Sequence, residues 1–181
     1  MPLLDRPTLS VQDAHLLLNE TRDDPLLFAA ASLMLFAGAR PSEVGEVKVF
    51  DYEPGAAARI WLGRRWEGLR QISIAPSAAR AIDSYLAAQD AAADEPLFLG
   101  LQGADMLPKH VRWAATRAGV DAGVHSLRQA AIAAALYDGA PVAHIEAYFG
   151  IGKWVDPDQP AGVPEGYDVA MARTLEAAFG A

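Results

Sequence analysis

The chain has 181 residues, of which 52% are hydrophobic and 21% are charged, a composition typical of a folded globular domain. It contains no cysteine, which excludes disulfide bonds and thiolate metal sites and is compatible with a cytoplasmic protein. The N-terminal residues have no basic segment followed by an apolar one, and no apolar run is long enough to cross a bilayer. We therefore expect neither a signal peptide nor a membrane anchor.

The formal net charge of −8 comes from 15 basic and 23 acidic residues. It argues against strong binding to nucleic acid, because affinity for DNA depends on Lys and Arg side chains that neutralise phosphates. The acidic excess lies at the two ends, in residues 1–24 and 138–181, while residues 59–70 contain four arginines and one glutamate. A surface for DNA is therefore expected in the middle of the chain.

The first predicted elements are helices. Ser10 has the character of an N-cap, Asp13 suits the first turn, and the helix continues to residue 18. Residues 23–25 open a second, strongly apolar helix that ends before Gly38. A third, short helix begins at Pro41, and residues 51–58 are expected to form a turn.

The only convincing strand signals lie at residues 59–62 and 70–74, which are expected to pair as a hairpin across residues 63–68. The remaining pattern is helical. It predicts a single domain over residues 1–181, mainly α with a small antiparallel β-sheet (α+β), and no separate N-terminal DNA-binding domain. The later helices are expected at residues 76–90, 108–118, 126–137, 141–149 and 167–179.

Two motifs carry a resemblance to a known family. The segment GARPSEV at residues 38–44 resembles the first arginine motif of the tyrosine recombinases (phage integrase family). The segment VHSLR at residues 124–128 matches that family's His-x-x-Arg motif, and Phe149-Gly150 resembles the Leu-Gly that follows it. The resemblance covers nearly the whole chain in order. It implies the fold of the catalytic domain and cleavage of DNA by a tyrosine.

The resemblance assigns roles to four residues. Arg40 and Arg128 would hold the phosphate, since paired guanidinium donors suit the charge that develops on its oxygens. His125 would donate to the same phosphate or relay a proton. Glu43 either orients Arg40, as the corresponding acid does in the family, or is simply exposed to solvent.

Two positions depart from the family. Arg64 or Arg65 occupies the hairpin turn where the family has a lysine that protonates the leaving oxygen, and arginine is a poor proton donor. The family's third catalytic position, which follows Phe149-Gly150 and is usually histidine or tryptophan, is occupied by Ile151. The nearby Trp154 either supplies, through its indole N–H, the hydrogen bond that the usual histidine or tryptophan would make, or packs against the core.

The nucleophile is assigned to Tyr167, which requires an insertion before it; the alternative is that Tyr167 is an aromatic residue that packs at a helix start. Tyr137 and the remaining tyrosines are expected to be structural. His15, His110 and His144 have no metal-ligand spacing, so neither a metal nor a cofactor is expected.

The sequence therefore predicts strand cleavage and rejoining through a 3′-phosphotyrosyl intermediate, with impaired chemistry. The partner is expected to be double-stranded DNA, bound weakly, with self-association or a partner protein left open. The alternative is an inactive protein of the same fold that regulates by binding DNA or a partner; a module that contacts only proteins is a third reading. The residues predicted to contact DNA are Arg64, Arg65, Lys109, Arg112 and Arg117.

Overall fold

Three helices begin the fold, and each starts where a side chain satisfies free backbone amides. The computed structural model describes residues 8–63, 69–103, 105–151 and 164–180. Helix α1 (Val11–Thr21) is capped by the Ser10 hydroxyl, which accepts from the amide of Asp13 at 3.0 Å. Helix α2 (Pro25–Phe36) is capped by the Asp24 carboxylate. Helix α3 (Pro41–Glu46) follows after a short connection.

The sheet has three antiparallel strands in the order β1-β2-β3: β1 (Tyr52–Glu53), β2 (Arg59–Leu62) and β3 (Arg70–Ser73). The predicted hairpin is present, with Ile60 opposite Ile72. The expectation of a turn throughout residues 51–58 is wrong at its start, because Tyr52 pairs with Ile60 and buries its ring. The hairpin residues Arg64 and Arg65 lie outside the described residues.

Five further helices complete the described fold, and α2 lies at its centre. Residues 29–36 of α2 are buried, and the helix packs against α1, α4, α6 and α8. The predicted class, mainly α with a small antiparallel sheet, is confirmed. No helix among the described residues is both long and apolar enough to cross a membrane. The five helices are α4 (Pro76–Ala87), α5 (Met106–Ala118), α6 (Ser126–Tyr137), α7 (Val142–Phe149) and α8 (Tyr167–Phe179).

Two carboxylates attach helix α8 to the rest of the fold. Asp168 is buried and accepts hydrogen bonds from both the amide and the hydroxyl of Ser73 on β3, each at 2.9 Å. Glu176 accepts from the amide and hydroxyl of Ser77 in the first turn of α4. The apolar face of α8 enters the core through Leu175 and its neighbours. Helix α8 is therefore held at both ends as well as along its face.

The tyrosines divide between core and surface. Tyr148 is fully buried and donates to the carbonyl of Ser73 at 2.9 Å, and Tyr52 and Tyr85 are also buried. The expectation that Tyr137 is structural is wrong: it is 87% exposed. Its position as the last residue of α6 takes it beyond the buried face of that helix.

Candidate functional site

Arg40, His125 and Arg128 lie around one concave groove although the first is far from the others in sequence. Arg40 directly precedes α3, His125 is the N-cap residue of α6, and Arg128 lies in the first turn of α6. The groove has a volume of about 710 Å³. Its other lining residues are Pro41, Ser42, Gly45, Glu46, Gly103, Leu107 and Pro108.

Both arginine side chains are held by backbone carbonyls at the ends of helices. Arg128 donates to the carbonyl of Gly38, after α2, and to that of Phe149 in the last turn of α7, the latter at 2.6 Å. Arg40 donates to the carbonyl of Gly150. A guanidinium carries five N–H donors, so these bonds hold each group in place and leave donors for an anion. Carbonyls at helix C-termini also carry partial negative charge that favours a nearby cation.

Glu43, three residues after Arg40, forms a buried ion pair with Arg70. Arg70 lies on β3, and its two terminal nitrogens donate to the two carboxylate oxygens of Glu43 at 2.6 and 3.2 Å. The side chains are 4% and 6% exposed, for Glu43 and Arg70 respectively. Glu43 also accepts from the backbone amide of Arg40 at 2.7 Å. The alternative that Glu43 is exposed to solvent is therefore excluded. Its hydrogen bond to Arg40 is to the backbone amide, and its carboxylate also lies 4.0 Å from the guanidinium of Arg40.

Arg70 was not among the residues predicted for the site. It shares one face of β3 with Ile72, because alternate strand residues point the same way, and both are buried. An arginine on the apolar face of a strand was the signal available, since an arginine is almost never fully buried unless it is paired.

The buried charges affect one another. Burial alone would raise the pKa of Glu43. The charge and hydrogen bonds of Arg70, the backbone amide of Arg40 and the charge of Arg128 together outweigh that effect, so the pKa is lowered and the carboxylate stays ionised. Burial lowers the pKa of Arg128 to about 10, with Glu43 opposing and Arg70 and Arg40 adding to the effect. Arg128 therefore remains a cation at neutral pH.

Tyr167 begins helix α8 and is half-buried. Its ring centroid lies 6.0 Å from that of His144, a residue to which no role was assigned. Burial first, and then the neighbouring charge of Asp168, raise the pKa of Tyr167. Tyr167 is not among the described residues that line the groove. The phenol is thus protonated at neutral pH and requires a proton acceptor to become a nucleophile.

The three predicted DNA contacts on α5 are exposed on that helix. Lys109 and Arg112 lie one turn apart, and Arg112 follows the groove residue Pro108 by one turn. Arg117 already pairs with Glu20 at 2.5 Å, so it is less available to a phosphate. Arg64, Arg65 and Trp154 lie outside the described residues. Within those residues, no group of three His, Asp or Glu side chains is placed to hold a metal ion.

Solved structures with a similar fold include site-specific recombinases and a phage integrase. The XerA recombinase superposes with a TM-score of 0.71 at 21% identity, over 96% of this chain and 65% of that one. The integrase from mycobacterium phage Brujita gives 0.68 at 18% identity, over 100% of this chain and 66% of the integrase. The XerH site-specific recombinase bound to its difH substrate, in a pre-cleavage complex, gives 0.66 at 15% identity, over 94% and 50%.

The chain therefore spans between half and two thirds of the length of these solved proteins. No family model and no curated protein matches it.

Proposed function

We propose, from the tyrosine-recombinase catalytic-domain fold of this chain, that it binds double-stranded DNA and cleaves and rejoins a strand through a 3′-phosphotyrosyl intermediate. The observation that carries the proposal is the convergence of Arg40, His125 and Arg128 on one groove. Glu46 also lines this groove, and the Glu43 carboxylate lies 4.0 Å from the guanidinium of Arg40. Arg40 and Arg128 still have N–H donors that suit a shared anion such as a phosphate.

In this mechanism a DNA phosphate lies between Arg40 and Arg128. Their remaining N–H donors hold the non-bridging oxygens, on which negative charge builds up in the transition state. His125 donates to the same phosphate from the start of α6, where the helix N-terminus also favours an anion. The phenol oxygen of Tyr167 attacks phosphorus and loses its proton. The bond to the 5′ oxygen breaks, and that oxygen takes up a proton.

The chemistry is expected to be slow. A positioned general acid contributes about 10²–10⁴ in rate, and the hairpin offers Arg64 and Arg65 in place of a lysine. Ile151 donates no side-chain hydrogen bond to the phosphate, while the nearby Trp154 offers an indole N–H. The raised pKa of Tyr167 also reduces the fraction of ionised nucleophile.

DNA binding is expected to be weak and sensitive to salt. Four or five phosphate contacts correspond to a salt slope of about −4, and the net charge of −8 opposes them. Lys109 and Arg112 on α5, with Arg64 and Arg65, supply these contacts. Self-association or a partner protein would add contacts that one copy lacks.

A second function is favoured by one observation: Tyr167 is not among the described residues that line the groove. A protein of this fold that keeps its arginines but does not present the phenol to the phosphate would bind DNA, or a partner, as a regulator without cleaving.

Trapping on a nicked suicide duplex separates the two functions. The native chain is compared with Tyr167→Phe and, as a matched control, Tyr137→Phe, which removes the same hydroxyl from an exposed residue. A covalent adduct that persists in Tyr137→Phe and is lost in Tyr167→Phe supports cleavage. Binding that depends on Arg128, without any adduct, supports the regulator. The absence of both adduct and binding refutes both functions.

A further inference from the structure

Arg70 is a charged residue deep in the fold that connects three segments. Besides its two bonds to Glu43 at the start of α3, its Nε donates to the carbonyl of Tyr148 on α7 at 2.8 Å. Arg70 itself lies on β3, so one guanidinium joins β3, α3 and the end of α7. Removing two charges from water is energetically costly, so a hydrophobic pair would be the simpler way to fill this space.

The segments that Arg70 joins are those that hold the groove arginines. On one side, Glu43 accepts from the backbone amide of Arg40 at 2.7 Å and so fixes the residue from which that side chain extends. On the other side, Arg70 binds the carbonyl of Tyr148, and the next two carbonyls along the chain receive the groove arginines. The carbonyl of Phe149 accepts from Arg128, and that of Gly150 accepts from Arg40.

We infer that Arg70 is a positioning residue: through its forked pair with Glu43 it sets the spacing of Arg40 and Arg128 for a phosphate, without contacting that phosphate itself. The inference rests on the proposed function. A planar guanidinium bonded to both oxygens of a carboxylate fixes distance and angle together. A hydrophobic pair would fill the space without that directional constraint.

The decisive variant removes both charges at once: Glu43→Gln with Arg70→Met. Replacing both members by uncharged residues of similar volume leaves no buried charge, whereas removing one member leaves an unpaired buried charge. The glutamine retains an oxygen for the amide of Arg40. If the pair only fills the core, the double variant folds and cleaves like the native chain. If it positions the arginines, the double variant folds but loses adduct formation, by about 10²-fold for a misplacement near 1 Å.

A second readout does not depend on cleavage. The Nε–H signals of Arg40 and Arg128, followed by ¹⁵N NMR during titration with a short duplex, are expected to shift in the native chain and to be displaced or broadened in the double variant. Arg80→Met is the control, because it removes an arginine that pairs with Glu176 away from the groove. It is expected to leave both signals unchanged.

The outcomes distinguish the inference from the proposed function. The proposed function is refuted if the Nε–H signals of Arg40 and Arg128 in the native chain do not shift with the duplex and no adduct forms. The inference about Arg70 is overturned if the native chain forms the adduct and its signals shift with the duplex, while the double variant also cleaves normally and keeps both signals in place. If the double variant does not fold, Arg70→Lys decides. It keeps the charge but not the fork, so normal cleavage and unmoved signals in that variant overturn the inference, and displaced signals with slower cleavage support it.

Discussion

Gly150 is a position where one added methyl group tests the packing around Arg70. It ends α7 at φ +62°, a left-handed conformation that costs a residue with a Cβ about 1–2 kcal/mol. A Cβ there would lie 2.9 Å from a terminal nitrogen of Arg70 and 3.2 Å from its central carbon. The guanidinium cannot easily move away, because Glu43 and the carbonyl of Tyr148 hold it.

Gly119 provides a matched control for the backbone cost. It ends α5 at φ +69°, and a Cβ there meets nothing within 4 Å. Gly119→Ala is therefore expected to cost about 1 kcal/mol, part of its backbone penalty being offset in the unfolded chain. Gly150→Ala adds overpacking against Arg70, worth about 1–3 kcal/mol more.

Urea unfolding followed by tryptophan fluorescence measures both free energies of unfolding. The difference between the two variants isolates the contact with Arg70, because the backbone conformations are alike. Equal losses of stability would show that the guanidinium yields freely and that the packing argument is wrong. A larger loss for Gly150→Ala, with slower adduct formation, is the expected result.

Three further predictions concern charge. Glu43→Gln alone is expected to destabilise the protein by about 3–5 kcal/mol at neutral pH, since it leaves Arg70 unpaired. Because the folded pKa of Glu43 lies below its ordinary value of 4.5, the stability that its ionised form contributes is present above that value and lost as pH falls through the folded pKa. The gap to the native chain, measured by urea unfolding at neutral and acidic pH, should therefore narrow in acid; a constant gap contradicts this. Asp168→Asn should reverse only part of the rise in the pKa of Tyr167, because burial is the larger cause. NMR titration of ¹³C-labelled tyrosine measures this pKa, and an unchanged or higher pKa in the variant would contradict the prediction. Arg112→Ala should reduce the salt slope of duplex binding by about 1, and Arg117→Ala by less, because Arg117 already pairs with an acid; anisotropy titrations at several salt concentrations would show if the order is reversed.

The sequence predicted best what local rules determine. The starts of α1 and α2 followed from Ser10 and Asp24, whose side chains cap their own helices. Helix α6 followed from the His-x-x-Arg motif and the apolar stretch after it, and its bounds agree with the prediction.

The sequence could not predict features that depend on distant residues. Strand β1 has only two residues, and it is a strand because Tyr52 pairs with Ile60 of β2. The ion pair between Glu43 and Arg70 joins residues on α3 and β3 that only the tertiary fold brings together. The roles of Arg40, His125, Arg128 and Tyr167 remain predictions, although the first three share a groove.

The attachment of α8 has a consequence for incomplete copies of the protein. The helix that begins with Tyr167 packs against α1 and α2, and Phe179 meets Phe36 edge to face at 6.3 Å. Among the described elements, α8 is therefore the last helix that the ribosome produces, and it completes the core. A chain terminated before α8 would lack its buried apolar face and leave a large hole in the core, a loss that a marginally stable domain does not survive. A chain terminated before α8 should therefore be unfolded and degraded. It should not accumulate as a folded protein that lacks Tyr167 and competes with the full chain for DNA.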